Sequence, residues 1–194
     1  MLNNRFSKGV IFSCIAAIFW GLPQPLFFNE LNHVETIEVV AHRGFWSFIF
    51  LFLLLILISN IIDFIEIFKS RKRIFILTIT AFLIAGNWAG FIYSVGQERV
   101  QDASMGYFIT PMISIVLGYF FLNEKITKPK IASVCFMLSG ILFLFINLNQ
   151  FPFLIIWIGT SWAIYGLLRK QVNVNPSIGL LYETFIISLS LIHI

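Results

Sequence analysis

Long apolar stretches dominate this chain and restrict what it can fold into. A membrane-spanning helix needs roughly 20 mostly apolar residues, and seven stretches approach or reach that length: Val10–Phe28, Ile37–Ile58, Ile74–Val95, Ala103–Leu122, Ile131–Asn147, Phe153–Leu168 and Ile178–Ile194. Only 11% of the residues are charged, whereas soluble domains carry about 25%. Too few polar side chains are therefore available to cover a surface in water. The sequence predicts an all-α, polytopic transmembrane helix bundle.

The basic residues lie mainly in alternate connections between these stretches. The segment before the first stretch and the second, fourth and sixth connections contain Arg5, Lys8, Lys69, Arg71, Lys72, Arg73, Lys125, Lys128, Lys130, Arg169 and Lys170. The other connections contain Arg99 alone. Because cytoplasmic loops are enriched in Lys and Arg, we expect a multi-pass protein of the bacterial inner membrane with a cytoplasmic N-terminus. The same clustering favours the lipid bilayer, and not nucleic acid, as the partner of this basic chain.

Motifs for catalysis, metal binding and cofactors are not recognisable in the sequence. Cys14 and Cys135 lie inside apolar runs, without the spacing of a metal or redox site. The phosphate-binding loop of ATPases and the H-E-x-x-H zinc motif are missing. The pair His42 and Glu183 is the best candidate for an enzyme, but the helix rise separates the two residues by about 10 Å or more in depth. We therefore expect no enzyme, metal or cofactor.

Three ionisable residues, His42, Arg43 and Glu183, fall inside the apolar stretches. A charge at the centre of a bilayer costs about 3 kcal/mol on insertion scales, so such residues usually line a pathway or pair with each other. Arg43 lies only about 8–10 Å from the outer boundary, and snorkelling to the interface is the alternative explanation. Aligning Ile37 with Ile178 places His42 on Glu183. This weak internal similarity spans five helices, which indicates an inverted repeat of the kind found in secondary transporters.

Small and polar residues recur at helical spacing in several stretches and predict packed or cavity-facing sides. The first stretch has Ser13, Ala17, Trp20 and Gln24, and the third has Thr80, Asn87, Gly90 and Ser94. The fourth has Ser104, Tyr107, Pro111, Ser114 and Gly118. Helix packing alone accounts for the small residues. The polar groups of Gln24, Asn87 and Tyr107 need hydrogen-bond partners or water in a cavity.

Several motifs together resemble one family. They are Trp20-Gly21, His42-Arg43 with Trp46-Ser47, Gly86-Asn87-Trp88, Ser104 to Ile109 with Pro111, Asn123-Glu124, and Tyr165-Gly166 with Arg169-Lys170. Their order and spacing, from about Lys8 to Glu183, closely resemble the RarD-type permeases of the EamA family in the drug/metabolite transporter superfamily. One departure is Thr110, which stands where this resemblance implies an amide.

The resemblance implies ten helices in two inverted five-helix repeats. Residues 8–148 would form the first repeat and residues 151–194 the start of the second, so we expect a C-terminally truncated product without the last three helices. The implied cavity residues are Trp20, His42, Arg43, Asn87, Trp88, Tyr107 and Glu183, and the polar stripe of the first stretch adds Gln24.

The functional expectation is secondary transport of a small organic molecule by alternating access, with a link to chloramphenicol implied by the family. Glu183 and His42 are the candidate proton carriers. Arg43 would bind an anionic or carbonyl group, and Trp20, Trp88 and Tyr107 would stack on a flat substrate. A homodimer is one arrangement open to such a chain. The alternative is a membrane fragment or assembly subunit that transports nothing.

Overall fold

The computed structural model describes residues 2–57, 61–146 and 152–193. Within these ranges the chain is α-helical, without strands. The helices are α1 (Leu2–Gly21), α2 (Pro23–Glu30), α3 (Thr36–Leu57), α4 (Ile61–Ile67), α5 (Arg71–Gly96), α6 (Val100–Leu122), α7 (Lys128–Ile146), α8 (Phe153–Gln171) and α9 (Pro176–Leu191). The all-α prediction is confirmed.

Four helical segments of the described chain are long and apolar enough to cross a membrane. They are Phe6–Glu30, Thr36–Leu57, Arg71–Gly96 and Val100–Leu122. Pro176–Leu191 is apolar but shorter. The fifth, sixth and seventh predicted stretches coincide with α7, α8 and α9, except that Asn147 and Ile194 lie outside the described residues. The helices therefore follow the predicted stretches, and the chain is a multi-pass membrane protein.

The first predicted span is interrupted, which corrects the expectation of one continuous helix from Val10 to Phe28. Helix α1 ends at Gly21 and α2 begins at Pro23, with Leu22 between them. Proline has no backbone N–H, and it is tolerated best in the first turn of a helix. Pro23 and Pro25 both lie in the first turn of α2. The chain thus starts a new helix where the prolines would disrupt an old one.

Helix α4 lies in the second connection, between the second and third predicted stretches. Its last residue, Ile67, is buried against the apolar residues Leu55, Leu77 and Tyr182. Helix α5 then begins with Ser70 as its N-cap, because the Ser70 hydroxyl accepts a hydrogen bond from the Arg73 backbone N–H at 3.4 Å. The connection is therefore a short packed helix followed by a capped helix start.

Helix α5 lies at the centre of the bundle, in contact with α2, α3, α6, α8 and α9. Its buried face includes Thr80, Asn87, Gly90 and Ser94, which confirms the packed side predicted for the third stretch. Helix α9 packs on both α3 and α5. This arrangement places polar side chains of α5 against the second half of the chain.

Helices α6 and α8 cross in close contact at two glycines. A Cβ atom added to Gly159 would lie 2.8 Å from the Gly106 backbone oxygen, and one added to Gly106 would lie 2.8 Å from Ile158 Cβ. Small residues let membrane helices approach this closely. The packed face of α6 carries Ala103, Gly106 and Ile109.

The stripe predicted for α6 is therefore only partly correct. Ser104, Pro111 and Ser114 are exposed, while Gly118 is buried and Tyr107 is half-buried. The predicted residues share one side of α6, because alternating steps of three and four residues stay on one face. Helix α8 packs on a neighbouring side of α6, which carries Gly106 and Ile109.

Candidate functional site

Two adjoining cavities share part of their lining, one among the first three helices and the other between these helices and α5, α6 and α8. The cavity between α2 and α3 has a volume of about 790 Å³ and is lined by residues that include Phe28, Glu38, His42 and Trp46. The second, here called the aromatic cavity, has a volume of about 580 Å³, and its lining includes Trp20, Asn87, Trp88, Phe91, Tyr107 and Trp162. Phe19, Gln24 and Arg43 line both. The cavities therefore meet at the side chain of Arg43.

Arg43 stacks on aromatic rings instead of pairing with a carboxylate. Its Cζ atom lies 4.1 Å from the centroid of the Trp88 ring and 5.6 Å from that of Phe28. None of the ion pairs among the described residues includes Arg43, and its Nη1 atom is buried without a hydrogen-bond partner among them. A cation–π contact contributes about 0.5–2 kcal/mol, whereas taking a charge out of water costs several kcal/mol. Stacking alone offsets only part of that cost.

Asn87 joins three helices through its amide. Its Nδ2 atom donates to the Ile158 backbone oxygen at 2.9 Å and to the Ser161 hydroxyl at 3.0 Å, both on α8. Its Oδ1 atom accepts a hydrogen bond from the Tyr107 hydroxyl at 3.0 Å. The amide is fully used inside the protein. Asn87 thus lies at the lining of the aromatic cavity, but its contacts are those of a residue that positions Tyr107 and α8.

The aromatic cavity is bounded by rings from four helices. The centroids of Trp20 and Tyr107 are 4.6 Å apart in an edge-to-face arrangement, and those of Trp20 and Phe91 are 6.1 Å apart. Trp162 faces Tyr107 at 6.5 Å and stacks on Tyr165 at 5.1 Å. The sequence reading missed Phe91 and Trp162. Trp162 was detectable, because it precedes the Tyr165-Gly166 motif by one helical turn.

Thr110 replaces the expected amide without losing a contact to α8. Its hydroxyl lies 3.3 Å from the Gly106 backbone oxygen and 3.4 Å from the Gly159 backbone oxygen. Pro111 follows it and cannot donate a backbone hydrogen bond to Tyr107, one turn earlier. The α6–α8 crossing therefore keeps a weak polar contact at this position.

Glu183 lies outside both cavities, in a buried polar cluster between α5, α8 and α9. Its Oε1 atom accepts a hydrogen bond from the Thr80 hydroxyl at 2.7 Å, and its Oε2 atom accepts one from the Tyr165 hydroxyl at 3.1 Å. The Arg169 Nε atom lies 3.6 Å from Oε1. The Glu183 side chain is completely buried. The structure thus separates Glu183 from the other predicted site residues, all of which line the two cavities.

Arg169, which the sequence predicts to lie in the sixth connection, belongs to this cluster. It lies in the last turn of α8, one turn after Tyr165, so both side chains reach Glu183. Its Nη2 atom donates to the Pro176 backbone oxygen at 3.2 Å. The guanidinium also lies directly over Gly179, where a Cβ atom would overlap it. Glycine at position 179 therefore makes room for the ion pair.

His42 lies on the exposed side of α3 and lines the α2–α3 cavity together with Glu38. It also lines a smaller cavity of about 230 Å³ against Ser188 and Leu191 of α9. Glu183 is not among the lining residues of that smaller cavity. The structure therefore does not bring His42 and Glu183 together as a catalytic pair would require.

Glu124 connects three helix ends at the basic end of the bundle. It hydrogen-bonds the Lys170 ammonium at the end of α8, and its carboxylate lies 3.7 Å from the Lys130 Nζ atom at the start of α7. The left-handed backbone of Asn123, with φ of 53°, lets the chain turn back so that the Glu124 N–H donates to the Gly118 oxygen. The hydrogen bond and charge of Lys170 hold the pKa of Glu124 below its ordinary value.

Together, the fold and the cavities define a multi-pass α-helical membrane protein with an aromatic-lined cavity. Residues 7–146 match the EamA-like transporter family. The chain belongs to this family, and the resemblance to RarD-type permeases is confirmed by its relatives.

Three relatives illustrate the similarity. An uncharacterised transporter of Vibrio cholerae is 33% identical over 91% of this chain and 58% of its own length. Protein RarD of Escherichia coli K12 is 33% identical over 91% of this chain and 60% of its own length. A chloramphenicol-sensitive protein RarD of Pseudomonas aeruginosa is 24% identical over 95% of this chain and 63% of its own length.

The chain spans about three fifths of the length of the curated relatives that it matches. No solved structure matches it.

Proposed function

We propose that this chain is part of a secondary transporter that moves small organic molecules across the bacterial inner membrane by alternating access. The observation that carries the proposal is the pair of adjoining cavities, which meet at Arg43 inside an apolar helix bundle. Their volumes fall in the range of small-molecule sites, about 300–1,000 Å³. The half-buried Arg43, whose Nη1 atom has no hydrogen-bond partner among the described residues, lies beside several rings and fits recognition of a ligand. The naming of relatives as transporters supports the same conclusion.

Alternating access predicts that the cavity lining faces each side of the membrane in turn. Cys14 and Cys135, both exposed, are first replaced by Ala. A single Gln24→Cys variant is then treated with a membrane-impermeant maleimide from one side and from the other. We expect labelling from both sides, slowed by a bound substrate. Labelling from one side only, unaffected by any tested substrate, would contradict the mechanism.

Chloramphenicol is the substrate that we propose to test first, since one relative is named for sensitivity to it. The assay measures uptake of labelled chloramphenicol into proteoliposomes that contain the 194-residue chain, with a pH gradient imposed. Accumulation above that of protein-free vesicles supports the substrate. Equal uptake with and without the protein would exclude chloramphenicol as a substrate, while the cavity could still bind other molecules.

Proton coupling is assigned to Glu183, with His42 as the second candidate. Glu183 supports this role because its carboxylate connects three helices through Thr80, Tyr165 and Arg169. Its protonation would release Arg169, and the helices could then move. We expect Glu183→Gln to abolish pH-driven uptake while exchange without a gradient persists. Unchanged pH-driven uptake in Glu183→Gln would transfer the role to His42, and His42→Gln is the matched variant.

Topology and assembly are proposed on the same basis. The N-terminus is assigned to the cytoplasm, residues 8–148 to a first repeat and residues 151–194 to a second. An Asn32→Cys variant should react with an impermeant maleimide in intact cells, whereas Lys72→Cys should react only after permeabilisation. The reverse labelling pattern would show that the N-terminus lies on the opposite side of the membrane. Sedimentation of the protein in detergent tests the proposed homodimer, for which a monomer mass would be the contrary result.

A further inference from the structure

We infer that the ligand recognised by the two cavities is an organic anion with a flat, apolar body, and that its anionic group pairs with Arg43. This inference rests on the proposed function and specifies its substrate class. Carboxylate is the anionic group that a guanidinium matches best in geometry, because two N–H donors can face two oxygens. The reasoning depends on the charge balance of the site and on the rings around it.

The charge balance of the site is incomplete. Arg43 lines both cavities, and no acidic residue within ion-pair distance compensates it in the described part of the chain. Arg169, the other guanidinium of the bundle interior, has Glu183 beside it. Glu38 lines the same cavity but lies five residues before Arg43 on α3, about 7.5 Å away along the helix axis. An anion that enters the cavity would supply the missing partner of Arg43.

The position of Arg43 argues against a cationic ligand. Sites that bind ligand cations present open aromatic faces to them. Here the guanidinium of Arg43 already covers the Trp88 ring, with Cζ 4.1 Å from its centroid. A second cation would lose that face and meet a like charge. The remaining rings of Trp20, Phe91 and Trp162 offer apolar surface for a flat body, without a charge of their own.

The test compares three probes that share one ring system and differ in charge. They are 2-naphthoate, 2-naphthamide and 2-naphthylmethylammonium. The complete 194-residue chain is placed in nanodiscs of phosphatidylcholine, and binding is measured by equilibrium dialysis against empty nanodiscs. We expect naphthoate to bind about 10–100-fold more tightly than naphthamide, the range for a hydrogen bond to a charged group, and the ammonium probe to bind most weakly.

Two variants test whether Arg43 causes the preference for naphthoate over naphthamide. Arg43→Gln should make naphthoate and naphthamide bind equally. Lys72→Gln removes an exposed cation at the start of α5 and should leave the preference unchanged. Gel filtration and circular dichroism confirm that each variant is folded. If Arg43→Gln does not fold, the ranking of the three probes on the unmodified chain decides the question.

The outcomes separate this inference from the proposed function. If naphthamide binds as tightly as naphthoate, the anion assignment is overturned, but the cavity stands as a binding site. The assignment also falls if naphthoate is preferred equally by the unmodified chain and by a folded Arg43→Gln variant. If none of the three probes binds above the empty nanodiscs, this inference is overturned, whereas the proposed function is tested separately by the two-sided labelling of Gln24→Cys.

Discussion

Replacing Arg169 by Met removes the cation that faces the buried carboxylate of Glu183. The Arg169 Nε atom lies 3.6 Å from Glu183 Oε1, and the Glu183 side chain is completely buried while that of Arg169 is 13% exposed. Removing one partner of a buried ion pair costs about 3–5 kcal/mol, because the other charge is left without compensation. We therefore expect Arg169→Met to lower the free energy of unfolding by about that amount.

The structure supplies two comparisons for this magnitude. Thr80→Val removes the 2.7 Å hydrogen bond to Glu183 but leaves the ion pair, and side-chain hydrogen bonds in membrane proteins average about 0.6 kcal/mol, with a maximum near 1.7. Lys170→Met changes the neighbouring cation on α8, whose partner Glu124 lies at an exposed position. Exposed ion pairs contribute little to stability, because water screens the two charges. The expected order of destabilisation is therefore Arg169→Met, then Thr80→Val and Lys170→Met.

Equilibrium unfolding by sodium dodecyl sulfate in mild detergent, followed by far-ultraviolet circular dichroism, measures these free energies. The double variant Arg169→Met with Glu183→Gln should recover more than half of the loss, since neither charge remains unpaired. The reasoning is refuted if Arg169→Met is no more destabilising than Lys170→Met. It is also refuted if the double variant is as unstable as Arg169→Met alone.

Three further predictions use the same unfolding assay. Gly159→Ala should lower the free energy of unfolding by about 1–3 kcal/mol, because its Cβ atom would lie 2.8 Å from the Gly106 backbone oxygen. Gly166→Ala is the control, since a Cβ atom there would have nothing within 4 Å. Equal losses of stability in the two variants would contradict the close helix crossing. Asn87→Leu should cost about 1–3 kcal/mol by leaving buried partners unsatisfied, and an unchanged midpoint would show that these hydrogen bonds do not form. The lowered pKa of Glu124 means that its contribution to stability is complete above its ordinary pKa of about 4.3 and is lost as pH falls through the lower, folded value. Glu124→Gln should therefore be less stable than the unmodified chain at pH 7 and equally stable at the acid end of a titration; a difference that persists in acid would contradict this assignment.

The helical architecture was predictable because it follows from the solvent. Lipid offers no hydrogen bonds to the backbone, so an apolar run of sufficient length must be helical. The same physics marked Arg43 and Asn87, since a polar side chain in an apolar run needs a partner. Those two residues and the rings of Trp20, Trp88 and Tyr107 line the aromatic cavity, and their role in binding stays a prediction.

The pairing of residues between helices was not predictable from one sequence. Arg169 belongs to a basic cluster, which in a membrane protein predicts a loop. Its side chain nevertheless pairs with Glu183, fourteen residues later on another helix. Only the packing of both α8 and α9 against α5 brings the two together. The break at Leu22 could have been predicted, since Pro23 and Pro25 are visible in the sequence. The packed face of α6 could not, because it depends on which neighbour covers which side.

The direction of the protons in the Asn87 network fixes what Tyr107 can offer to a molecule beside it. The Ile158 backbone oxygen only accepts, so the nitrogen of the Asn87 amide must face it and the amide oxygen must face Tyr107. The single hydroxyl proton of Tyr107 is then donated to Asn87. The Tyr107 oxygen therefore presents only lone pairs to the aromatic cavity. A ligand N–H or O–H group can donate a hydrogen bond to the Tyr107 oxygen, whereas a carboxylate is repelled by its lone pairs. A ligand with both a donor group and an anionic group would consequently bind in one orientation, with its anionic group away from the Tyr107 oxygen.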